Sequence, residues 1–302
     1  MGEQQITFKS GTLNIAGVVR LPEGVAAGER RPAFMVLHGF GSNMSSGNVL
    51  QPCALLENLG YITLRFDMPG CGDSEGEKGR LICLEQVATT SDALSFLARH
   101  PNVDSARIAV IGSSFGAAVA VYSAGVDNRI AAVISSGGWG HGERKFRGQH
   151  ATPEAWAAFT AILEEGRRYR ARTGKSLMVP RYDIVPIPEH LRRHLAEGSV
   201  QMFPAETAQS MLDFCAEDVV GRIAPRPLLL LHSSSDSVTP VEQSVALFAK
   251  AGRPTDLHLF ADTDHFMFTE SNVRVRQVVL DWLAKYFPVD AGAELNERQL
   301  AN

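Results

Sequence analysis

The sequence predicts an α/β fold: a mostly parallel central sheet with helices on both faces and a helical cap inserted late in the chain. Three observations predict it. Strand-like and helix-like segments alternate from about Arg31 onward. The strand candidates are short continuous apolar runs, as in strands buried on both faces. The alternation breaks after Gly138 and resumes near Gly221, with helical patterning between.

The opening differs from the rest. Ile6–Phe8 and Leu13–Leu21 alternate around Ser10-Gly11, which predicts an antiparallel hairpin at one sheet edge. Pro32 introduces the first buried strand, Ala33–Leu37. A helix over Val49–Leu59 stops at Gly60, and Tyr61–Phe66 is the next strand. A long helix spans Leu81–Arg99. Arg107–Ile111 is a strand, Phe115–Ser123 an Ala-rich helix able to pack closely, and Ile130–Ile134 a strand ending in Ser135-Ser136-Gly137-Gly138. Thr152-Pro153-Glu154 starts a cap helix, with an N-cap residue and proline at the first position. Further helices begin near Pro188 and Pro204. The alternation then resumes with a strand at Pro227–Leu231, a helix at Val241–Ala251, a strand at Leu257–Phe260 and a helix at Val273–Tyr286. The expected organisation is a core of residues 1–138 and 221–288, a cap of residues 139–220, and a polar tail of residues 289–302.

Composition excludes several classes. With 302 residues, 45% of them hydrophobic, the chain can bury a large core. Net charge is -4 with both signs interspersed, so the basic stripe of a nucleic-acid binder is missing. No apolar stretch has membrane-span length, and the N-terminus has no basic then apolar pattern of a secretory signal. The four cysteines, Cys53, Cys71, Cys83 and Cys215, lack C-x-x-C pairing and read as free thiols. The expectation is a cytoplasmic protein acting on a small molecule, binding neither nucleic acid nor membrane, with self-association into a homo-oligomer left open.

Gly112-Ser113-Ser114-Phe115-Gly116 fits G-x-S-x-G between a strand and a helix, the context that motif requires. The sharp turn would display Ser114 above the carboxyl edge of the sheet and leave no room for side chains at positions 112 and 116. A serine hydroxyl needs a base. Of nine histidines, His265 lies just past the last strand, where a loop can reach the serine. Asp236, in the turn after the preceding strand, would orient the imidazole. Asp262 and Asp264 are too close in sequence to face its distal nitrogen easily, and Glu143 is a weaker competitor. The order Ser, Asp, His belongs to one serine-hydrolase architecture and not to the others. Oxyanion donors would be the N–H of Phe115 and that of Phe40 in His38-Gly39-Phe40-Gly41-Ser42, with the His38 side chain ordering that loop.

On these residues the chain resembles the α/β-hydrolase superfamily, from Ile6 to Phe287. His38-Gly39-Phe40-Gly41 looks like its oxyanion loop, and Asp67-Met68-Pro69-Gly70-Cys71-Gly72-Asp73-Ser74 like its D-x-x-G-x-G-x-S loop. Asp236 with Val238 and Pro240 looks like its acid turn, and Asp264-His265-Phe266 like its histidine turn, which more often carries Gly before the histidine. The hairpin, the oxyanion loop and the cap look similar to the dienelactone-hydrolase-like, dipeptidyl-peptidase-like and feruloyl-esterase-like branches. The resemblance does not choose among that family's reactions; the expected one is ester cleavage through an acyl-enzyme, with no cofactor and no metal. A C–C bond hydrolase or an acyltransferase is the alternative, ahead of a peptidase or a non-catalytic module on the same fold. Trp139, Met211 and Phe266 are expected either to wall the pocket or to pack in the core, and Arg144, Lys145 and Arg147 either to meet an anionic substrate or, as the simpler expectation, to be solvated charge.

Overall fold

In the computed structural model, which describes residues 2–26, 28–270 and 272–290, strands β1 (Gly2–Ser10) and β2 (Leu13–Leu21) form the expected hairpin. Its turn places Gly11 at φ 54°, a left-handed conformation that glycine adopts without a Cβ clash. The chain continues through β3 (Arg31–Leu37), α1 (Gly47–Asn58), β4 (Ile62–Phe66), α2 (Cys83–Leu97), β5 (Val103–Ser113), α3 (Phe115–Val126) and β6 (Ile130–Ser136). After an insertion come β9 (Leu228–Ser233), α8 (Glu242–Lys250), β10 (Thr255–Phe260) and α9 (Val273–Tyr286). The eight-stranded sheet has the order β1-β2-β4-β3-β5-β6-β9-β10. β1 and β2 run antiparallel to their neighbours, and every pairing from β4 to β10 is parallel.

The continuous apolar runs are explained by two buried faces. Met35, Val110, Val133 and Leu230 point to one side with α2 and α3. Phe34, Ala109, Ile111, Ala132, Ile134, Leu229 and Leu231 point to the other, with α1 and α9. All four cysteines are unpaired. Among the described residues, no helix is long and apolar enough to cross a membrane.

The insertion carries α4 (Gly142–Gln149), α5 (Pro153–Thr173), α6 (Arg181–Ile184), a 3-10 segment (Glu189–His194) and α7 (Ala205–Asp213). Thr152 caps α5 as expected, its Oγ1 accepting from Ala155 N at 3.1 Å. One feature departs from the sequence reading. The insertion is not all helical, because β7 (Met178–Pro180) and β8 (Met202–Pro204) pair antiparallel; strands of three residues leave no periodic signal. Its apolar residues Phe146, Phe159, Leu163 and Phe203 join the same cluster as one sheet face. At the C-terminus, Arg107 donates to the carbonyls of Pro288 and Val289, so the chain is held to β5 at the start of the expected tail. Residues 291–302 of that tail lie outside the described residues.

Candidate active site

The turn from β5 into α3 is tight. Ser114 has φ 55° and ψ −115°, the one non-glycine residue at positive φ among those described. Such a conformation costs of order 1–3 kcal/mol and persists only where the surroundings hold it. Here Ser114 N donates to Ser136 O at 2.8 Å. A Cβ on Gly112 would lie 2.2 Å from Gly116 O, and one on Gly116 would lie 2.5 Å from His38 O. Gly112 therefore lets the first turn of α3 close onto the end of β5, and Gly116 lets this elbow pack against the end of β3.

The structure brings Ser114, His265 and Asp236 together from three strand ends. His265 Nε2 is 2.8 Å from Ser114 Oγ, and His265 Nδ1 is 2.8 Å from Asp236 Oδ2. The carboxylate can only accept at Nδ1, so that nitrogen carries the proton and Nε2 is free to accept from the serine hydroxyl. The Asp236 and His265 side chains are almost wholly buried. Asp236 Oδ1 also accepts from Val238 N (2.8 Å) and Thr239 N (2.7 Å). Burial opposes ionisation of Asp236, but the charge and hydrogen bonds of His265 and His232 outweigh it and hold the carboxyl well below the usual carboxylate range.

The competing carboxylates have other partners. Asp264 accepts from Ser237 N at 2.8 Å and from His265 N at 2.7 Å, tying the acid turn to the histidine turn. Asp262 pairs with Arg274, and Glu143 with Arg147 on the surface of α4.

His38 is fully buried and joins two loops. Its Nε2 accepts from Met68 N at 2.9 Å, so Nδ1 carries the hydrogen and donates to Gly39 O at 2.8 Å. Burial pushes its basicity down and favours this neutral form. Ser42 N donates to the same carbonyl at 3.1 Å. In a trans peptide the N–H points opposite to the C=O, so the Phe40 N–H is oriented by what grips Gly39 O. Gly39 lies close to the elbow, since a Cβ there would be 3.6 Å from Ser114 Cβ. Phe115 is the first residue of α3, where an N–H has no intrahelical acceptor.

A cavity of about 40 Å³ adjoins Ser114 and His265. Phe266 lines it, together with Phe40, Val185, Ile187, His194 and Leu195. Trp139 and Met211, the other expected walls, do not. Both are buried in the core; Trp139 packs on Phe115 (centroids 5.7 Å) and Phe214 (6.4 Å). The cap cations are likewise elsewhere. Arg144 pairs with Glu217, Arg147 lies over Trp156, and Lys145 is buried over Trp139 and Phe146. A larger cleft of about 740 Å³ opens between α2, α5 and α7, with Phe214 on its wall; Trp139 and Phe115 lead from there toward Ser114, and the serine does not line it.

Two buried residues of this region carry no motif in the sequence reading. His232, within β9, has Nε2 2.9 Å from Thr239 O and 3.3 Å from Asp236 Oδ2, with Ser244 Oγ 2.6 Å from its Nδ1. Its position four residues before Asp236, at a strand end, was the available signal. Arg181 contacts the loop around Phe40 and left no such signal.

A strand-turn-helix serine joined to a histidine and a buried carboxylate, on this sheet order, defines a class of protein. A family model described as "Alpha/beta hydrolase family" matches residues 34–278, and the chain belongs to that family. It is 26% identical over 283 residues to an uncharacterized 31.7 kDa protein of the traX-finO intergenic region of Escherichia coli, covering 90% of this chain and 96% of that one. It is 24% identical over 276 residues to the polyketide transferase grgF of a Penicillium species, covering 86% and 90%. The structure of PA2218 from Pseudomonas aeruginosa superposes with a TM-score of 0.80 at 21% identity, over 95% of this chain and 94% of that one.

Proposed function

We propose that the protein cleaves a carboxylic ester through an acyl-enzyme, with Ser114 as nucleophile. The observation that carries this reading is the unbroken line from Ser114 Oγ through His265 to a buried, ionised Asp236. In the proposed cycle His265 Nε2 takes the hydroxyl proton as Ser114 Oγ bonds to the ester carbonyl carbon. Asp236 stabilises the imidazolium through Nδ1–H. The N–H groups of Phe40 and Phe115 receive the oxyanion. The adduct collapses as the alcohol leaves with the proton from His265. Water, deprotonated by His265, then attacks the acyl-enzyme and returns free Ser114 and a carboxylic acid.

Residues 139–220 act in this reading as a cap that supplies the far wall of the acyl site, where Val185, Ile187 and Leu195 give an apolar lining. The structural neighbours include an esterase domain of a Rhodothermus marinus protein, at TM-score 0.61 and 20% identity, and Est1E from Butyrivibrio proteoclasticus with ferulic acid bound, at 0.64 and 17%.

A second reading keeps the first half of the cycle and replaces water by a substrate hydroxyl, making the reaction acyl transfer. It is favoured by the relatives named as polyketide transferases, of which one aligns over 86% of this chain and another is 38% identical over 112 residues.

The test is hydrolysis of p-nitrophenyl esters by wild type and Ser114→Ala side by side. The expected result is turnover that vanishes in the variant. Turnover that survives in Ser114→Ala refutes the nucleophile assignment. An acyl-enzyme that forms but waits for an added alcohol moves the assignment to transfer.

A further inference from the structure

Arg181 opens α6 inside the insertion, yet its side chain is one of the largest fully buried ones in the molecule. Its guanidinium donates from Nη1 to Phe40 O (2.9 Å), from Nη2 to Gly41 O (2.9 Å) and from Nε to Val200 O (2.8 Å). It lies 5.4 Å from the centroid of the Phe40 ring and 5.5 Å from that of Phe203, two rings stacked on each other at 4.2 Å. It also lines the cavity that holds Ser114 and His265. Among the described residues no carboxylate pairs with it. Burial lowers its basicity to about 10, which leaves it cationic at neutral pH.

A buried cation held by carbonyl oxygens and ring faces, without an anion, is a costly way to fasten two segments. The fastening exists without it, since Val200 N donates to Gly41 O at 2.8 Å. What the guanidinium adds is charge and a rigid fork at one place. The peptide that carries the Phe40 N–H is gripped on its own carbonyl by His38, and Arg181 grips the next two carbonyls along the chain. The loop is built around this contact. Gly41 has φ 54°, and a Cβ there would lie 2.4 Å from Phe203 Cζ and 2.8 Å from Arg181 Nη2.

We propose that Arg181 is the positioning residue of the oxyanion loop: it fixes the peptides after Phe40 so that the Phe40 N–H faces the adduct on Ser114, and sets a positive charge where negative charge develops. The inference rests on the reading of Ser114 as nucleophile. It makes the insertion a working part of the site, because one of its side chains holds the oxyanion loop.

The experiment measures the rate at which a fluorophosphonate labels Ser114, with kcat and KM for p-nitrophenyl acetate, in wild type, Arg181→Lys and Arg181→Ala. Arg181→Ala should label roughly 100-fold more slowly, near the lower range for loss of one oxyanion donor, with the loss in kcat and not in KM. Arg181→Lys keeps the charge without the fork and should lose roughly tenfold. Methylguanidinium should restore part of the Arg181→Ala rate and leave wild type unchanged, a response that a general packing defect would not give. Labelling of both variants at the wild-type rate, or a loss in folded Arg181→Ala that methylguanidinium does not relieve, overturns the assignment. Should Arg181→Ala fail to fold, Arg181→Lys decides by the same rate. A wild type that never labels overturns the nucleophile reading and this one with it, whereas equal labelling of all three proteins overturns only the role of Arg181.

Discussion

Asp236→Asn changes one atom and tests the whole site. In the native turn Oδ1 accepts the N–H groups of Val238 and Thr239 at 2.8 and 2.7 Å, while Oδ2 faces His265 Nδ1 at 2.8 Å and His232 Nε2 at 3.3 Å. An asparagine can satisfy the two backbone donors only with its oxygen at the Oδ1 position. Its NH2 group then takes the Oδ2 place, the nearer of the two to His265 Nδ1, while the oxygen, 3.0 Å from Nδ1, already holds two backbone donors, so Nδ1 is expected to turn acceptor. The imidazole proton moves to Nε2, 2.8 Å from Ser114 Oγ. A nitrogen that carries a proton cannot take another from the serine, so the nucleophile loses its base although the three side chains stay in place. In serine proteases this tautomer change lowers kcat about 10⁴-fold, equivalent to about 5.5 kcal/mol of barrier. A similar loss is expected here. The assay is p-nitrophenyl acetate hydrolysis at pH 7 with near-UV circular dichroism to show an intact fold. A folded Asp236→Asn enzyme within tenfold of wild type refutes the assignment of Asp236, and with it the argument from the four converging donors.

Other perturbations follow from the same geometry. Gly41→Ala meets both a left-handed φ and a Cβ contact at 2.4 Å with Phe203, so it should cost stability by about 1–3 kcal/mol and slow Ser114 labelling, read by urea unfolding and by fluorophosphonate rate. Gly116→Ala would press a methyl group to 2.5 Å from His38 O, and soluble expression or the unfolding midpoint should fall sharply. Lys145 is fully buried and pushed down to about 7 by burial, from its ordinary 10.5. The unfolded chain therefore binds a proton that the folded one does not between about pH 7 and 10.5, and stability rises with pH across that window. Lys145→Met should stabilise by about 1–4 kcal/mol at neutral pH. That gain should shrink toward pH 10.5, and a gain independent of pH in urea titrations at both ends would refute the buried-amine account.

Much of the site was legible because it depends on local backbone geometry. Gly112 and Gly116 flank a turn that admits no Cβ on either side, so the elbow shows itself at fixed offsets. Asp236 and His265 each follow a strand end, and the sheet order brings those ends to Ser114. Arg181 was not legible, because its partners are backbone carbonyls, two of them 140 and 141 positions away, and a carbonyl has no sequence. Trp139 and Met211 were misplaced for a related reason. Large apolar residues in an insertion can face a ligand or fill a core, and the pattern is the same. Here the insertion shares its apolar cluster with one face of the sheet, so the largest side chains went inward. Val185 and Ile187 belong to that same cluster and, with Leu195 and Arg181, also reach the cavity.

That lining leads to a prediction about acyl length. The cavity beside Ser114 has about 40 Å³. A space of that size holds ordered water or a short acyl group and not a long chain. His194 and Leu195, at the end of the 3-10 segment, and Phe266 close it on the side of the histidine turn. His194 and Phe266 meet with ring centroids 5.5 Å apart. If this contact holds during turnover, kcat/KM should be greatest for acetyl and propionyl esters and fall steeply by octanoyl. A polyketide-sized acyl group requires the contact to open, and a substrate that opens it gains apolar contact with each added methylene, about 0.8 kcal/mol at full burial. The two cases predict opposite slopes of log kcat/KM against chain length. A rising slope removed by a disulfide introduced between the 3-10 segment and the histidine turn would show that the segment moves. A falling slope would show that the site as it stands selects short acyl groups, and would count against transfer of long ones.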